Sequence, residues 1–214
     1  MVVAIDGPGG VGKSTAARAV AQAVGAHYLN TGSYYRAATL AVLRRGADPA
    51  DDDAVTAAVA SATFGFEEGR MILDGADVTE EIRGGEVTGT VSRVSAVPEV
   101  RTLLVRLQRE WVAERGGHAV VEGRDIGTVV FPDADLKVFL TATEEARAER
   151  RGQDRESSGT PVDEIAASLR ERDRLDSTRR ESPLVAAEDA IVIDTTYLDA
   201  AEVVALVLRL ADQD

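Results

Sequence analysis

Residues 2–15 read VVAIDGPGGVGKST: an apolar run, an aspartate, and a glycine-rich turn that closes on a lysine and two hydroxyls. Apolar, β-branched VVAI followed by glycines is the pattern of a strand buried on both faces, which belongs to a parallel sheet covered by helices. Gly7, Gly12, Lys13 and Ser14 satisfy G-x-x-x-x-G-K-[ST] in its required place, after a predicted strand and before a predicted helix. Glycines let successive N–H groups and the positive end of the helix converge on one phosphate. The stretch Gly7, Pro8, Gly9, Gly10, Val11, Gly12, Lys13, Ser14 and Thr15 is therefore expected to cradle the phosphates of ATP. Lys13 is expected to reach the β- and γ-phosphates, and the Ser14 hydroxyl to ligate the Mg²⁺ that accompanies them.

That anion site has to be local, because the formal net charge of −13 repels phosphate polymers at long range. A nucleic-acid partner is not expected. Of the 24 basic residues only Lys13 and Lys137 are lysine, so the chain supplies guanidinium forks, which bind phosphate oxygens in a bidentate way. With no cysteine there is no disulfide framework or thiol nucleophile, which suits a reducing cytoplasm. His27 and His118 stand 91 positions apart and do not suggest a histidine metal cluster. No stretch nears the roughly 18 uncharged apolar residues of a membrane span, and MVVAI lacks the basic and long apolar parts of a secretory signal. A cytoplasmic monomer with small-molecule nucleotides as partners and no membrane partner is expected.

Along the chain, alanine-rich sequence from Lys13 to Val24 reads as a helix stopped by Gly25. AHYLNTG is a short strand, with Thr31 or Ser33 able to cap the helix YYRAATLAVLRR. PADDDAVTAAVASA follows as a helix with acids in its first turn. Between 62 and 84, TFGFE, RMILD and ADVTEEI alternate around EGR and DGA turn signals, predicting a small antiparallel insert. Helical periodicity then runs to Gly116, with Pro98 near a helix start. HAVVEGRD and DLKVFLTA are further strands; a charged helix from Thr143 gives way to a Gly/Ser-containing break at 152–160, read as a mobile flap, before helical spacing resumes. Strand AIVIDT and a helix with capping-box spacing at Asp199 and Glu202 complete the alternation of a parallel α/β sheet.

A phosphate loop alone does not separate a kinase from a GTPase or a switch ATPase. The guanine-reading N-K-x-D element is missing, and AVVEGRD offers Glu122 but turns straight into arginine. LNTGSYYR, SRVSAVPEVR, EGRDIGTVVFPDA and RERDRLDSTRRESPL, taken with the insert, resemble the bacterial cytidylate (CMP) kinases over nearly the whole chain. The resemblance implies a single P-loop kinase domain over 1–214: a five-stranded parallel sheet with helices on both faces, the antiparallel insert at 62–84, a monophosphate-binding region at 31–115 and a mobile lid at 152–160. It implies transfer of a phosphoryl group from MgATP to CMP or dCMP, in pyrimidine nucleotide metabolism. On matching positions, Thr31, Ser92, Arg101, Asp125 and Arg179 would surround the cytosine, Arg36 and Arg124 the acceptor phosphate, and Arg172 and Asp176 the ribose. Lys13, Arg36, Arg124 and Arg172 would carry the catalysis. Asn30 departs from the aspartate usual in the family, and Leu175 from a charge.

Arg172, Asp176 and Arg179 stand at i, i+4 and i+7, one helical face beside the flap. The same spacing suits a solvated helix whose Arg172–Asp176 pair contributes about 0.3 kcal/mol. Asp125 lies past a strand's carboxyl end, where open α/β sheets bind ligands, although an aspartate there also stabilises turns. Lid closure would bring the arginines of 147–155 over the phosphates. Two other readings stay open: a kinase with a hydroxyl acceptor, for which Asp125 would be the base, and a nucleotide-dependent switch that takes no small acceptor.

Overall fold

The computed structural model of the chain describes residues 1–153 and 161–211. In chain order the elements are β1 (Val2–Asp6), α1 (Lys13–Ala23), β2 (His27–Asn30), α2 (Thr31–Arg44), α3 (Asp52–Ala60), β3 (Phe64–Glu67), β4 (Arg70–Leu73), β5 (Ala76–Asp77), α4 (Gly85–Val94) and α5 (Pro98–Ala113). They continue with β6 (Ala119–Glu122), β7 (Leu136–Thr141), α6 (Glu144–Gly152), α7 (Val162–Ser177), β8 (Ile191–Asp194) and α8 (Ala200–Ala211). The chain divides into two compact units, one of Met1–Leu29 with the chain from Trp111 onward, the other Asn30–Glu110.

The first unit holds a five-stranded sheet in the order β2-β6-β1-β7-β8. β1 is central and runs parallel to β6 and β7, and β7 runs parallel to β8. Residues 3–5 of β1 are fully buried, which is why VVAI has no polar alternation. Ala16, Ala17, Val20 and Ala21 of α1 join Val203 and Val207 of α8 and the strand residues Val3, Ile5, Val120, Val138 and Leu140 in one core. Each buried Val, Ile or Leu there contributes roughly 1.5–3 kcal/mol relative to exposure. The architecture expected from the sequence, a five-stranded parallel sheet wrapped by helices with a small antiparallel sheet, is the one found.

The second unit carries that smaller sheet, β3-β4-β5, antiparallel throughout. Both of its turns have two residues, Glu68-Gly69 and Asp74-Gly75, with positive φ at every central position. That is the turn geometry the EGR and DGA signals called for. The third segment is shorter than expected. In ADVTEEI the strand covers only Ala76–Asp77; Val78 N still donates to Met71 O, but the Thr79 hydroxyl takes the Met71 N–H and the chain then coils into a 3₁₀ turn at Glu81–Arg83.

Two local expectations are corrected, and one further element comes to light. Asn30, not Thr31 or Ser33, caps α2: its side chain accepts from Ser33 N at 3.2 Å. α7 ends at Ser177, so Arg179 lies beyond the helix face on which spacing had put it. A π-helical turn at Ile126–Val130, which no periodicity announced, separates β6 from β7. The flap expected at 152–160 is helical at Gly152, and its residues 154–160 lie outside the described residues.

Candidate active site

The phosphate loop is shaped by three glycines with positive φ, Gly7 (144°), Gly10 (80°) and Gly12 (88°). A Cβ at Gly7 would stand 2.2 Å from the Leu140 carbonyl oxygen of β7, and one at Gly10 would stand 2.7 Å from that of Arg147. The sheet and α6 therefore admit no side chain at either position. Gly12 hands the chain to α1, whose N-terminus has no side-chain cap and no acid in its first turn. Its uncapped N–H groups and its dipole leave a site for an anion.

The loop's carbonyls are engaged by side-chain donors. Arg124 Nη1 donates to Gly7 O at 3.2 Å, Lys13 Nζ to Pro8 O at 2.6 Å, and Arg147 Nη1 to Gly9 O at 3.2 Å. The Thr195 hydroxyl reaches Val11 O at 3.3 Å and Thr141 O at 3.0 Å.

Lys13 is buried, and burial, reinforced by the nearby Arg124 charge, lowers its ammonium to a pKa of about 7, while Glu122 and Asp6 act the other way. Asp6, at the end of β1, is buried as well. Its carboxyl is pushed up to about 6 by burial, against two backbone N–H bonds from Gly127 and Ile126. Glu122, which ends β6, is buried and accepts from the Tyr28 hydroxyl at 2.6 Å. Acids and a lysine thus meet at the carboxyl ends of β1 and β6, where ligands of such sheets bind.

The next cluster joins residues far apart in sequence. Asp176 is buried at the end of α7; its Oδ2 accepts from Arg124 Nε at 3.0 Å, and its Oδ1 lies 3.3 Å from Arg179 Nη2. The solvated Arg172–Asp176 surface pair is therefore not what forms. Arg172 is half-buried on α7, and its charge contributes to lowering the Lys13 ammonium. Asp125 is buried where the π-helical turn begins, and its carbonyl accepts from Val129 and Val130. The first unit thus brings Lys13, Arg124, Asp125, Arg172, Asp176 and Arg179 into one neighbourhood with the phosphate loop.

Thr31, Arg36, Ser92 and Arg101 belong to the second unit. Thr31 is the buried first residue of α2. From the same helix, Arg36 donates to Ile82 O at 3.0 Å and to the Thr88 hydroxyl at 2.9 Å. Ser92, on α4, is half-buried and accepts through its carbonyl from the Ser95 hydroxyl. Arg101 of α5 is buried, donates to Ser95 O at 3.1 Å, and lies 5.1 Å above the Tyr35 ring centroid.

The sequence reading leaves out two contributors, Thr195 and Asp6. Arg147, besides its bond to Gly9 O, is paired with Asp173 of α7, and Arg150 donates to Thr195 O at 2.6 Å. No cluster of three or more His, Cys, Asp or Glu able to hold a metal occurs among the described residues. The exposed Ser14 hydroxyl in the first turn of α1 is the group that fits a magnesium ion arriving with phosphates.

The pattern that defines the family described as cytidylate kinase matches residues 3–213. The chain is 52% identical to the cytidylate kinase of Mycobacterium leprae (strain Br4923), covering 100% of this chain and 96% of that one. It is 50% identical to the cytidylate kinase of Corynebacterium efficiens, covering 99% and 94%. Among solved structures, TT1252 from Thermus thermophilus superposes with a TM-score of 0.51 at 18% identity, covering 100% of this chain and 98% of that one. An uncharacterised protein from Eubacterium ventriosum gives 0.55 at 12% identity, covering 100% and 99%; these two structures share the fold.

Proposed function

The chain belongs to the cytidylate kinase family, and from that premise we propose that its phosphate loop holds ATP while the γ-phosphoryl group passes to CMP or dCMP, giving CDP or dCDP and ADP. One observation carries this reading: the family match spans almost all of the chain, including every segment that lines the loop. The switch module and the hydroxyl-acceptor kinase give way to it.

Phosphoryl transfer has a loose, charge-spread transition state, so the protein's task is to align and to neutralise. The amides of 7–15 take the donor phosphates, and Lys13, whose ammonium burial weakens, is restored to full charge by the polyanion beside it. Mg²⁺, held by Ser14 and by phosphate oxygens, would neutralise charge on the transferring group. Arg36 and Arg124 take the acceptor phosphate; Thr31, Ser92, Arg101, Asp125 and Arg179 take the cytosine; Arg172 and Asp176 take the ribose. A phosphate acceptor, with a second pKa of about 6, is already nucleophilic at neutral pH. Asp125 therefore serves as a binding group, and no general base is required. A lid at 152–160, excluding water from the phosphates, and a cytoplasmic monomer belong to the same proposal.

The test is ADP release from MgATP against a panel of monophosphates. Release should depend on added CMP or dCMP; slow hydrolysis indifferent to them, or a response to sugars and ring alcohols, would overturn the reading. Arg36→Ala and Arg124→Ala should each lower CMP-dependent turnover by about 100-fold or more while the circular dichroism spectrum is kept.

A further inference from the structure

Asp6 is the last residue of the central strand and directly precedes the phosphate loop. Its two carboxylate oxygens are both committed to one place, Oδ1 accepting from Ile126 N at 2.8 Å and Oδ2 from Gly127 N at 2.7 Å. Those amides open the π-helical turn immediately after Arg124 and Asp125. The fit is close: a Cβ at Gly127 would meet Lys137 Cδ at 3.1 Å and Asp6 Oδ2 at 3.5 Å. Two acceptors on one rigid strand end thus fix the turn along two directions, while Arg124 bonds back to the carbonyl of Gly7, the residue after Asp6. The charge is held at a cost, since burial opposes its ionisation and Asp125 repels it, while the Gly127 and Ile126 N–H bonds and, less, Lys13 only partly offset both. A costly buried charge with two short bonds to one turn is better explained by position than by stability.

We propose that Asp6 is a positioning residue for phosphoryl transfer: its bidentate hold on Ile126 and Gly127 sets the turn that presents Arg124 and Asp125 to the acceptor nucleotide, in register with the phosphate loop. The proposal rests on the kinase reading above. Asp6 need not touch either nucleotide. Asparagine is isosteric but replaces one acceptor with a donor, which faces a backbone N–H and breaks the pair of bonds.

The experiment measures kcat, the KM for CMP, and the equilibrium Kd for ATP in the parent chain and in Asp6→Asn, with a thermal scan of each. In Asp6→Asn, kcat/KM for CMP should fall about 30-fold or more while the Kd for ATP stays within about threefold and folding is retained. In an Arg124→Ala background the same substitution should cost clearly less than in the parent, because one of the two groups through which it acts is already gone. A kcat/KM within twofold of the parent overturns the proposal, as does a full-sized loss in the Arg124→Ala background or an equal loss of ATP affinity. If Asp6→Asn does not fold, Asp6→Ser is read by the same criteria. A parent chain that ignores CMP would instead defeat the kinase reading, so the two failures are distinguishable.

Discussion

Glycines in left-handed conformations build turns in both units, with different outcomes. At Gly69 and Gly75 of the insert, φ is 78° and 80° and each turn closes within its own hairpin; at Gly10 and Gly12 of the phosphate loop, φ is 80° and 88°. The dihedrals are nearly alike. The phosphate loop differs in what surrounds it: Arg124, Lys13, Arg147 and Thr195 reach the carbonyls of Gly7, Pro8, Gly9 and Val11. Glycine makes the turn possible, and at the phosphate loop side-chain donors hold its carbonyls in place.

The largest effect expected from this contrast is at Lys13. On the proposed function, Lys13→Ala removes a cation expected at the donor phosphates and should lower turnover by about a thousandfold or more, read as CMP-dependent ADP release. A smaller effect should appear in stability against pH. The Asp6 carboxyl rises from 3.8 to about 6 on folding, so between those values the native chain binds more protons than the unfolded one and stability falls as pH rises. The Asp6 contribution is fully present below pH 3.8 and is lost as pH passes through about 6. Denaturant titrations should show the parent losing up to about 3 kcal/mol relative to Asp6→Asn across that window. A parallel pair of curves would remove Asp6 as a strained group.

Next comes Gly10→Ala, which meets both the positive φ and the Arg147 carbonyl at 2.7 Å. It should cost about 2 kcal/mol in folding and about tenfold or more in ATP affinity, measured by titration calorimetry. The smallest effect is at Gly75→Ala, where φ is the same and the space is open. There the loss should be about 1 kcal/mol in a melt, with turnover unchanged. An equal loss of turnover from Gly10→Ala and Gly75→Ala would break the contrast.

The features legible in the sequence were those whose causes lie within a few residues. The strand, glycine turn and helix of 2–24, the EGR and DGA hairpins, and the Asp199–Glu202 capping box, with bonds of 2.8 Å in both directions, all needed only local chemistry. The family resemblance supplied candidate positions that spacing could not. Asp6 was hidden because its partners lie 120 and 121 positions away, and Arg147 because Gly9 lies 138 away. The end of α7 was misjudged because Arg179 continues the helical period although the helix stops at Ser177. The α2 cap was ambiguous on its face, since Asn30, Thr31 and Ser33 are all capping residues and only the backbone decides among them.

The reach of Thr195 to Val11, across 184 positions, bears on how the molecule condenses. The Val11 carbonyl has this partner only when the segment after β8 is in its native place. Nucleotide affinity thereby reports a finished tertiary structure, which a locally formed turn would not do. A nucleotide at 100 times its dissociation constant, binding the native state alone, would deepen the native basin by about 2.7 kcal/mol.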